Sequence, residues 1–376
     1  MAATNSYLRH LMAAAVALPG ISVAATPIDK GDVVVDLKYV HYEEQDDLMT
    51  VDAEYLTLGI PLTGRNDLTV SIEFETMSGA SPIFMSPGQN GDPVVIKSGA
   101  SITDQRTAVT ASFRHFFDAG TLTVAPSWSD EDDYTSQALT LQYEWDTNNK
   151  NTTFAVGVGF ASDEVWAEGQ VIRNDKEGRS VFFGVTQVLN TSSLLQLNVS
   201  FAEETGYLSD PYKLVQVQTS ILPDSRRDDR AQIAVLVRYI RHMADDASVH
   251  LTYRLFNDDW DVQSHTFEAS WYQELPGDWT VTPSVRYYTQ EKADFYEPYF
   301  VAFRNDGYYT SDFRLASYGS VIAGVKITKK IAGNTGLDLN LQYYARRGDL
   351  KLGGEHSLDP EPLSSYLVTL GIKHTF

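Results

Sequence analysis

Asp258, Asp259 and His265 bracket one short segment of the chain, and their types suit either cation binding or acid–base chemistry. Carboxylate oxygens and a neutral imidazole together could hold a divalent cation. The same trio could activate a water, an aspartate orienting the histidine that takes the proton. Spacing works against both. Adjacent Asp258 and Asp259 point to opposite faces if extended, and so do Ser264 and His265, which denies Ser264 a base. The surrounding charges offer a third role. Asp210, Asp224, Asp258 and Asp259 fall across neighbouring loops from Lys213, Arg226, Arg230 and Arg254. Networks of such pairs fix the geometry of long loops where a lone exposed pair contributes little. Loop-pinning is the expected role, with cation site and hydrolase as alternatives. No catalytic residue, metal or cofactor is assigned. The acidic runs Glu43–Asp47 and Asp130–Asp133 lack the oxygen spacing and Gly of a calcium loop and read as solvated, loosely bridged by cations.

The elements that position these residues are strands. Leu139/Leu141/Tyr143/Trp145, Phe154/Val156/Val158/Phe160, Leu195/Leu197/Val199/Phe201 and Leu337/Leu339/Leu341/Tyr343 alternate with Thr, Gln, Asn, Ser, Gly and charges. Period two is the mark of a strand with one apolar face. Turn signals sort the connections into two kinds. Short turns carry Gly, Asn or Asp at 63–66, 118–120, 147–151, 190–192, 244–246, 276–278 and 332–334. Longer polar links alternate with them at 79–105, 130–135, 163–178, 206–229, 291–311 and 348–364, together with the shorter 43–47 and 257–262. These connections join about sixteen strands, an even number with both chain ends on one side. The expected fold is therefore all-β, a transmembrane antiparallel β-barrel of about 16 strands. Its short turns would face the periplasm and its longer loops the exterior. A β-sandwich would not sort its loops by length.

Composition agrees. Mean hydropathy is below zero, as in a barrel, where only alternate residues meet lipid. Residues 1–25 read as a cleaved signal peptide: Arg9, a short apolar run Leu11–Leu18, and Val23-Ala24-Ala25 before the cut. Residues 26–376 form the barrel domain. There is no Cys, and a formal net charge of −21 excludes nucleic acid as a natural partner. Such a surface suits lipid and lipopolysaccharide bridged by divalent cations.

Assigning faces gives the bore. Tyr39, Tyr55, Trp128, Tyr143, Trp145, Tyr253, Trp271, Trp279, Tyr287 and Tyr343 take the outward register, as aromatic girdles do. Pro126 and Pro283 fall mid-strand, where each forfeits a ladder bond and invites a bulge or bend. Facing inward are acidic Asp36, Asp52, Glu54, Glu73, Glu75 and Glu144, and basic Arg238, Arg254, Arg286, Lys326, Arg346 and Lys373. Lys38, Arg114, Glu268 and Asp338 break this split. Two opposed walls would set a transverse field across an aqueous lumen. Alternatively, these charges pair and fill a closed bore. The link at 79–105, with Phe84, Met85 and Val94–Ile96, is long enough to fold inward.

Two resemblances add to this. The strand Tyr366–Phe376, ending on an aromatic, resembles the closing strand of Gram-negative outer-membrane barrels, where the last Phe is the signal read by the barrel-assembly machinery. Tyr207-Leu-Ser-Asp-Pro-Tyr-Lys213, Leu222-Pro-Asp-Ser-Arg226, Arg230, Tyr253-Arg-Leu-Phe-Asn-Asp-Asp-Trp260, Ser264-His-Thr266 and Arg286-Tyr-Tyr-Thr-Gln290 with Phe295-Tyr296 resemble the family catalogued as domain of unknown function 3570. Asp261 departs from the Gly expected after Asp-Asp-Trp. The resemblance implies an outer-membrane barrel, and an association with periplasmic thioredoxin-like and flavin-transfer proteins. It implies no established ligand. The functional expectation is porin-like passage of small solutes. The alternatives are a non-conducting scaffold for a periplasmic or surface partner, and the rim hydrolase of Asp258, Asp259 and His265.

Overall fold

The computed structural model describes residues 32–45, 48–79, 82–88, 92–97, 102–167, 171–358 and 362–376. The expected signal peptide lies outside them. Sixteen strands close into one antiparallel barrel. They are β1 (Val34–Glu44), β2 (Met49–Thr63), β3 (Asn66–Gly79), β6 (Ile102–Phe116), β7 (Thr121–Glu131), β8 (Tyr134–Thr147), β9 (Thr152–Val165) and β10 (Asn174–Asn190), then β11 (Ser193–Gly206), β14 (Asp229–Ala244), β15 (Ala247–Asp258), β16 (Gln263–Leu275), β17 (Trp279–Gln290), β18 (Tyr318–Ala332), β19 (Thr335–Arg347) and β20 (Leu363–Thr375). Two hairpins, β4 (Pro82–Pro87) with β5 (Pro93–Lys97) and β12 (Leu214–Val217) with β13 (Ser220–Pro223), lie within long loops. Closure comes from β1 against β20, Val34 opposite Thr375. A closed ladder leaves no backbone donor or acceptor facing lipid, which is what a membrane demands of strands.

The strand count, the seven short turns and the alternation of loop lengths are as the sequence implied. Asn148, Asn149 and Asp278 take positive φ in the short turns, as their side chains permit. Each proline interrupts one ladder. Between β6 and β7, pairing lapses from Thr110/Ser127 to Phe113/Val124; between β16 and β17, it lapses from Ser270/Ser284 to Gln273/Val281. The register is identical on both sides of each gap, so the missing N–H causes no bulge.

The outward face carries an apolar belt: Leu37, Phe74, Leu139, Val156, Phe160, Phe183, Leu197, Phe201, Leu251, Val285, Leu341 and Leu370 are all exposed. An unbroken run of exposed apolar residues around a closed barrel is a lipid-facing surface. Aromatic girdles bound it. Phe117, Tyr143, Trp145, Phe154 and Phe183 form a chain of ring contacts near the short turns. Tyr253, Phe267 and Tyr287 form another towards the long loops. The chain is thus an outer-membrane-type barrel. None of its described helices is long and apolar enough to cross a membrane.

Strand β2 corrects three expectations. Antiparallel partners share a face, so Tyr39 opposite Glu54 and His41 opposite Asp52 put both acids outside. Tyr55, opposite Glu73, points inside. The assumption that apolar means outward fails at this strand's outer end. There Met49 and Val51 face inward and pack with Tyr42 and Met77 into a small buried cluster. The acids take the outer rim, where Asp52 accepts from the Tyr39 hydroxyl at 2.5 Å and contacts His41 Nδ1 at 2.8 Å.

Candidate functional site: a capped bore

Two long loops and the short link after β15 build one body over the outer mouth. Trp260 and Val262, following β15, pack with Ala293, Phe295, Tyr296, Leu315 and Ala316 of the loop after β17 and with Tyr318. Phe256 and Tyr288, inward-facing ends of β15 and β17, border this core, so it grows from the lumen wall. A second cluster joins Val215 and Val217 of β12 to Phe300 and Tyr309. The backbone ties the loops together: Gln218 N–H donates to Phe300 O at 2.6 Å, Tyr309 N–H to Ser225 O at 2.8 Å and Ala293 N–H to Leu315 O at 2.9 Å.

Charge networks lock this cap. Asp312, only 1% exposed, accepts from Arg314 Nε at 2.6 Å and from Arg226 Nη2 at 2.8 Å. Arg226 Nε donates to Asp224 at 2.7 Å, and Arg314 Nη2 donates to Asp210 at 2.6 Å. Lys213 is buried beside them, its ammonium 5.7 Å from the Phe313 ring centre. Burial pushes the Lys213 ammonium down and the Asp224 carboxyl up. Burial alone would raise Asp312 too, but Arg314 and Arg226 hold it well below the usual carboxylate range. Arg230 pairs with Asp258 at 2.5 Å and stacks over Trp260 at 4.5 Å. The other Asp258 oxygen accepts from Trp260 and Val262 N–H, at 3.0 and 2.8 Å, and closes the turn. Asp261 sits in that turn at φ 68°, a left-handed position that Asp tolerates where Gly was expected.

The structure therefore gathers Asp210, Lys213, Asp224 and Arg226 into one network and puts Arg230 with Asp258 in another. Asp259 stands apart, exposed, accepting from Ala231 N–H at 3.0 Å. Arg254 lies further down the lumen wall, outside both networks. His265 is separated from Asp258 by the sheet itself. Asp258, opposite Gln232, faces the lumen, whereas His265, opposite Leu255, faces outward and meets the Tyr253 hydroxyl at 2.8 Å. The alternative His–Asp trio is not assembled, because strand alternation sends Asp258 and His265 to opposite sides. Sequence reasoning missed Asp312 and Arg314, the centre of the larger network. Their signal is weak, an Asp and an Arg two residues apart in a long loop beyond the recognised motifs.

The cap spans the mouth. On one side Phe313 lies under the guanidinium of Arg346, an inward residue of β19, at 4.4 Å. On the other, Tyr212 donates to Asp133, in the link between β7 and β8, at 2.6 Å. Hairpin strand β12 lies beside β4 of the link that was expected to fold inward. Asp133 belongs to an acidic run expected to be solvated. Instead Glu131 and Asp133 are buried with Asp104 of β6, their carboxylates within 4.8 Å of one another, and Arg106 Nε is 3.6 Å from Glu131.

Below the cap, the register places Asp36, Glu73, Glu75 and Glu144 on the inward face with Arg238, Arg254, Arg286, Lys326, Arg346 and Lys373. Cations interrupt the acidic side. Arg106 lies 3.1 Å from Glu73 and 2.8 Å from Glu75, Arg114 pairs with Asp67, and Lys38 with Asp36. On the other side Glu268 pairs with Arg286 at 2.7 Å. Among the described residues, no carboxylate comes within ion-pair distance of Arg238 or Arg254. Arg106 is shared by Glu73, Glu75 and Glu131, so the first strands keep more inward carboxylates than cations, and the later ones keep a basic excess.

Comparison with known proteins follows this geometry. The profile of a family described as "Protein of unknown function (DUF3570)" matches residues 8–366. No curated protein matches. Among solved structures, CdiB from Acinetobacter baumannii superposes with a TM-score of 0.53 at 10% identity, over 90% of this chain and 60% of that one. This chain thus spans less than two thirds of CdiB. A structure titled "Bacterial polysaccharide outer membrane secretin" superposes with a TM-score of 0.50 at 8% identity, over 92% and 98% of the two chains. At such identities the likeness is one of fold.

Proposed function

The chain belongs to the family of proteins of unknown function DUF3570, whose profile covers nearly all of it, and we propose that it is a capped outer-membrane channel for small solutes. The observation that carries this reading is the lining of the bore at mid-strand. Ser71, Thr110, Thr140, Ser180, Ser284 and Thr369 face inward there. A barrel of sixteen strands is wide enough for water unless large side chains or a plug fill it. These side chains are short and hydroxylic, and the covering elements belong to the long-loop end. The cap then acts as gate or filter on an aqueous path.

Liposome swelling tests this. Vesicles holding the folded full chain should swell in isotonic small sugars or amino acids faster than empty vesicles. Equal rates would sink the reading. A second reading draws on the same cap: an outer mouth closed from both sides also fits a non-conducting scaffold. Its partner would dock at the short-turn end or on the cap, with the redox-linked periplasmic proteins implied by the family resemblance as first candidates. In that case swelling would be absent and a periplasmic protein would co-purify. Export by the N-terminal segment and assembly through the strand ending at Phe376 belong to the same proposal, as does contact with lipopolysaccharide at the outer rim.

A further inference from the structure

The basic excess of the bore is concentrated. Arg254 of β15 sits opposite Leu236 of β14, and Arg238 of β14 sits opposite Thr252 of β15. The two arginines are diagonal neighbours on the inward face, within reach of one small ligand. Both are half-buried. Arg238 gives its Nε–H to Thr252 Oγ1 at 3.1 Å, and Arg254 lies 5.2 Å from the Phe256 ring centre. Neither has a carboxylate partner among the described residues, and the nearby Glu268 is taken by Arg286. Two partly desolvated guanidiniums with unused donors form a fork that fits carboxylate geometry. The surroundings are not uniformly polar. Leu236 is 5% exposed, Phe256 stands one inward position above Arg254, and Tyr288 lies in the same row as Arg254 across Thr266.

We propose that the lumen wall of β14–β17 is a binding site for small organic carboxylates bearing an apolar body. The carboxylate would sit on Arg238 and Arg254, and the body against the partly buried Phe256 and Tyr288. The site lies directly beneath the cap core, which Phe256 and Tyr288 also border, so a solute held there sits just inside the gate. The inference names the solute class of the channel and rests on that reading for its biological role, though not for its chemistry.

Equilibrium dialysis with the full chain folded in detergent tests it, using benzoate, benzamide and benzamidine as probes of one shape and three charges. Saturable benzoate binding is expected, with benzamide at least about tenfold weaker and benzamidine unbound. That factor is what the loss of one charge-assisted hydrogen bond gives. Arg254→Gln with Arg238→Gln should abolish the preference for benzoate, whereas Arg179→Gln, on the exposed outward face, should leave it intact. Equal binding of the three probes by the native chain, no binding, or binding of inorganic phosphate in preference to benzoate would overturn the proposal without needing any variant to fold. Benzoate binding in a protein that conducts nothing would keep the site and refute the channel. Conductance without benzoate binding would do the reverse.

Discussion

Replacing Asp312 by Asn should unlock the cap and leave the barrel intact. Asp312 is the shared acceptor of Arg226 and Arg314, and those two cations also hold Asp224 and Asp210. Asparagine keeps the shape and can still accept from Arg314 N–H, now at 3.0 Å, but removes the charge between two buried guanidiniums. The arginine side chains are only 11% and 14% exposed, so solvent does little to screen the loss. Breaking a buried pair of this kind costs about 3–5 kcal/mol. At 1.4 kcal/mol per decade, the open population of the cap should rise by roughly two to three and a half orders of magnitude. Hydrogen exchange reads this directly, because the protection of an amide reports the free energy of the opening that exposes it. The amides of Ala293, Tyr309 and Thr310, which bond Leu315, Ser225 and Phe295 across the cap, should exchange faster by that factor. Amides in the β8–β9 ladder should not change. If the cap amides exchange within about threefold of the native rate, the network does not lock the cap and the argument fails.

Further predictions concern faces, pH and packing. Because the chain has no Cys, single cysteines report cleanly: Leu56→Cys, opposite Leu37 of the apolar belt, should react with membrane-partitioning reagents and Tyr55→Cys with small water-soluble ones, and the opposite pattern would restore the original register. The depressed Asp312 makes the cap pH-dependent. Its contribution is fully present above the ordinary aspartate range and is lost as pH falls towards its lower folded value, so the protection of the cap amides, corrected for the intrinsic exchange rate at each pH, should fall in acid, and more than in the Asn variant. Tyr212→Phe removes the hydroxyl bond to Asp133 and should loosen the cap by about 1 kcal/mol, read as faster proteolysis within 207–228 with the barrel resistant. Gly319→Val should displace the turn at 348–350, because a Cβ there would lie 2.0 Å from Leu350 O, lowering the thermal midpoint.

The barrel was legible because lipid imposes it. Period-two alternation, Gly, Asn and Asp at the short turns, and the sorting of loop lengths each follow from a sheet that must close in an apolar medium, and together they yield the strand count. The rule failed at β2, where Met49 and Val51 turn inward to a buried cluster and the acids turn out to a wet rim. Local alternation shows that two faces differ, not which one meets lipid. The cap was half legible. Its charged residues were visible as complementary sets, but Asp312 meets Arg226 and Arg314 meets Asp210 across 86 and 104 residues of sequence, and no spacing rule reports such contacts. The same limit hid Asp104, which joins Glu131 and Asp133 only because β6 and β7 are neighbours.

Single-channel recording of the native chain beside its Asp312→Asn variant, in planar bilayers, tests the capped channel most directly. The account predicts discrete conductance steps from both, with the native chain mostly closed and the variant mostly open at the same unit conductance. Silence from both proteins, each shown to be folded and inserted, would contradict it.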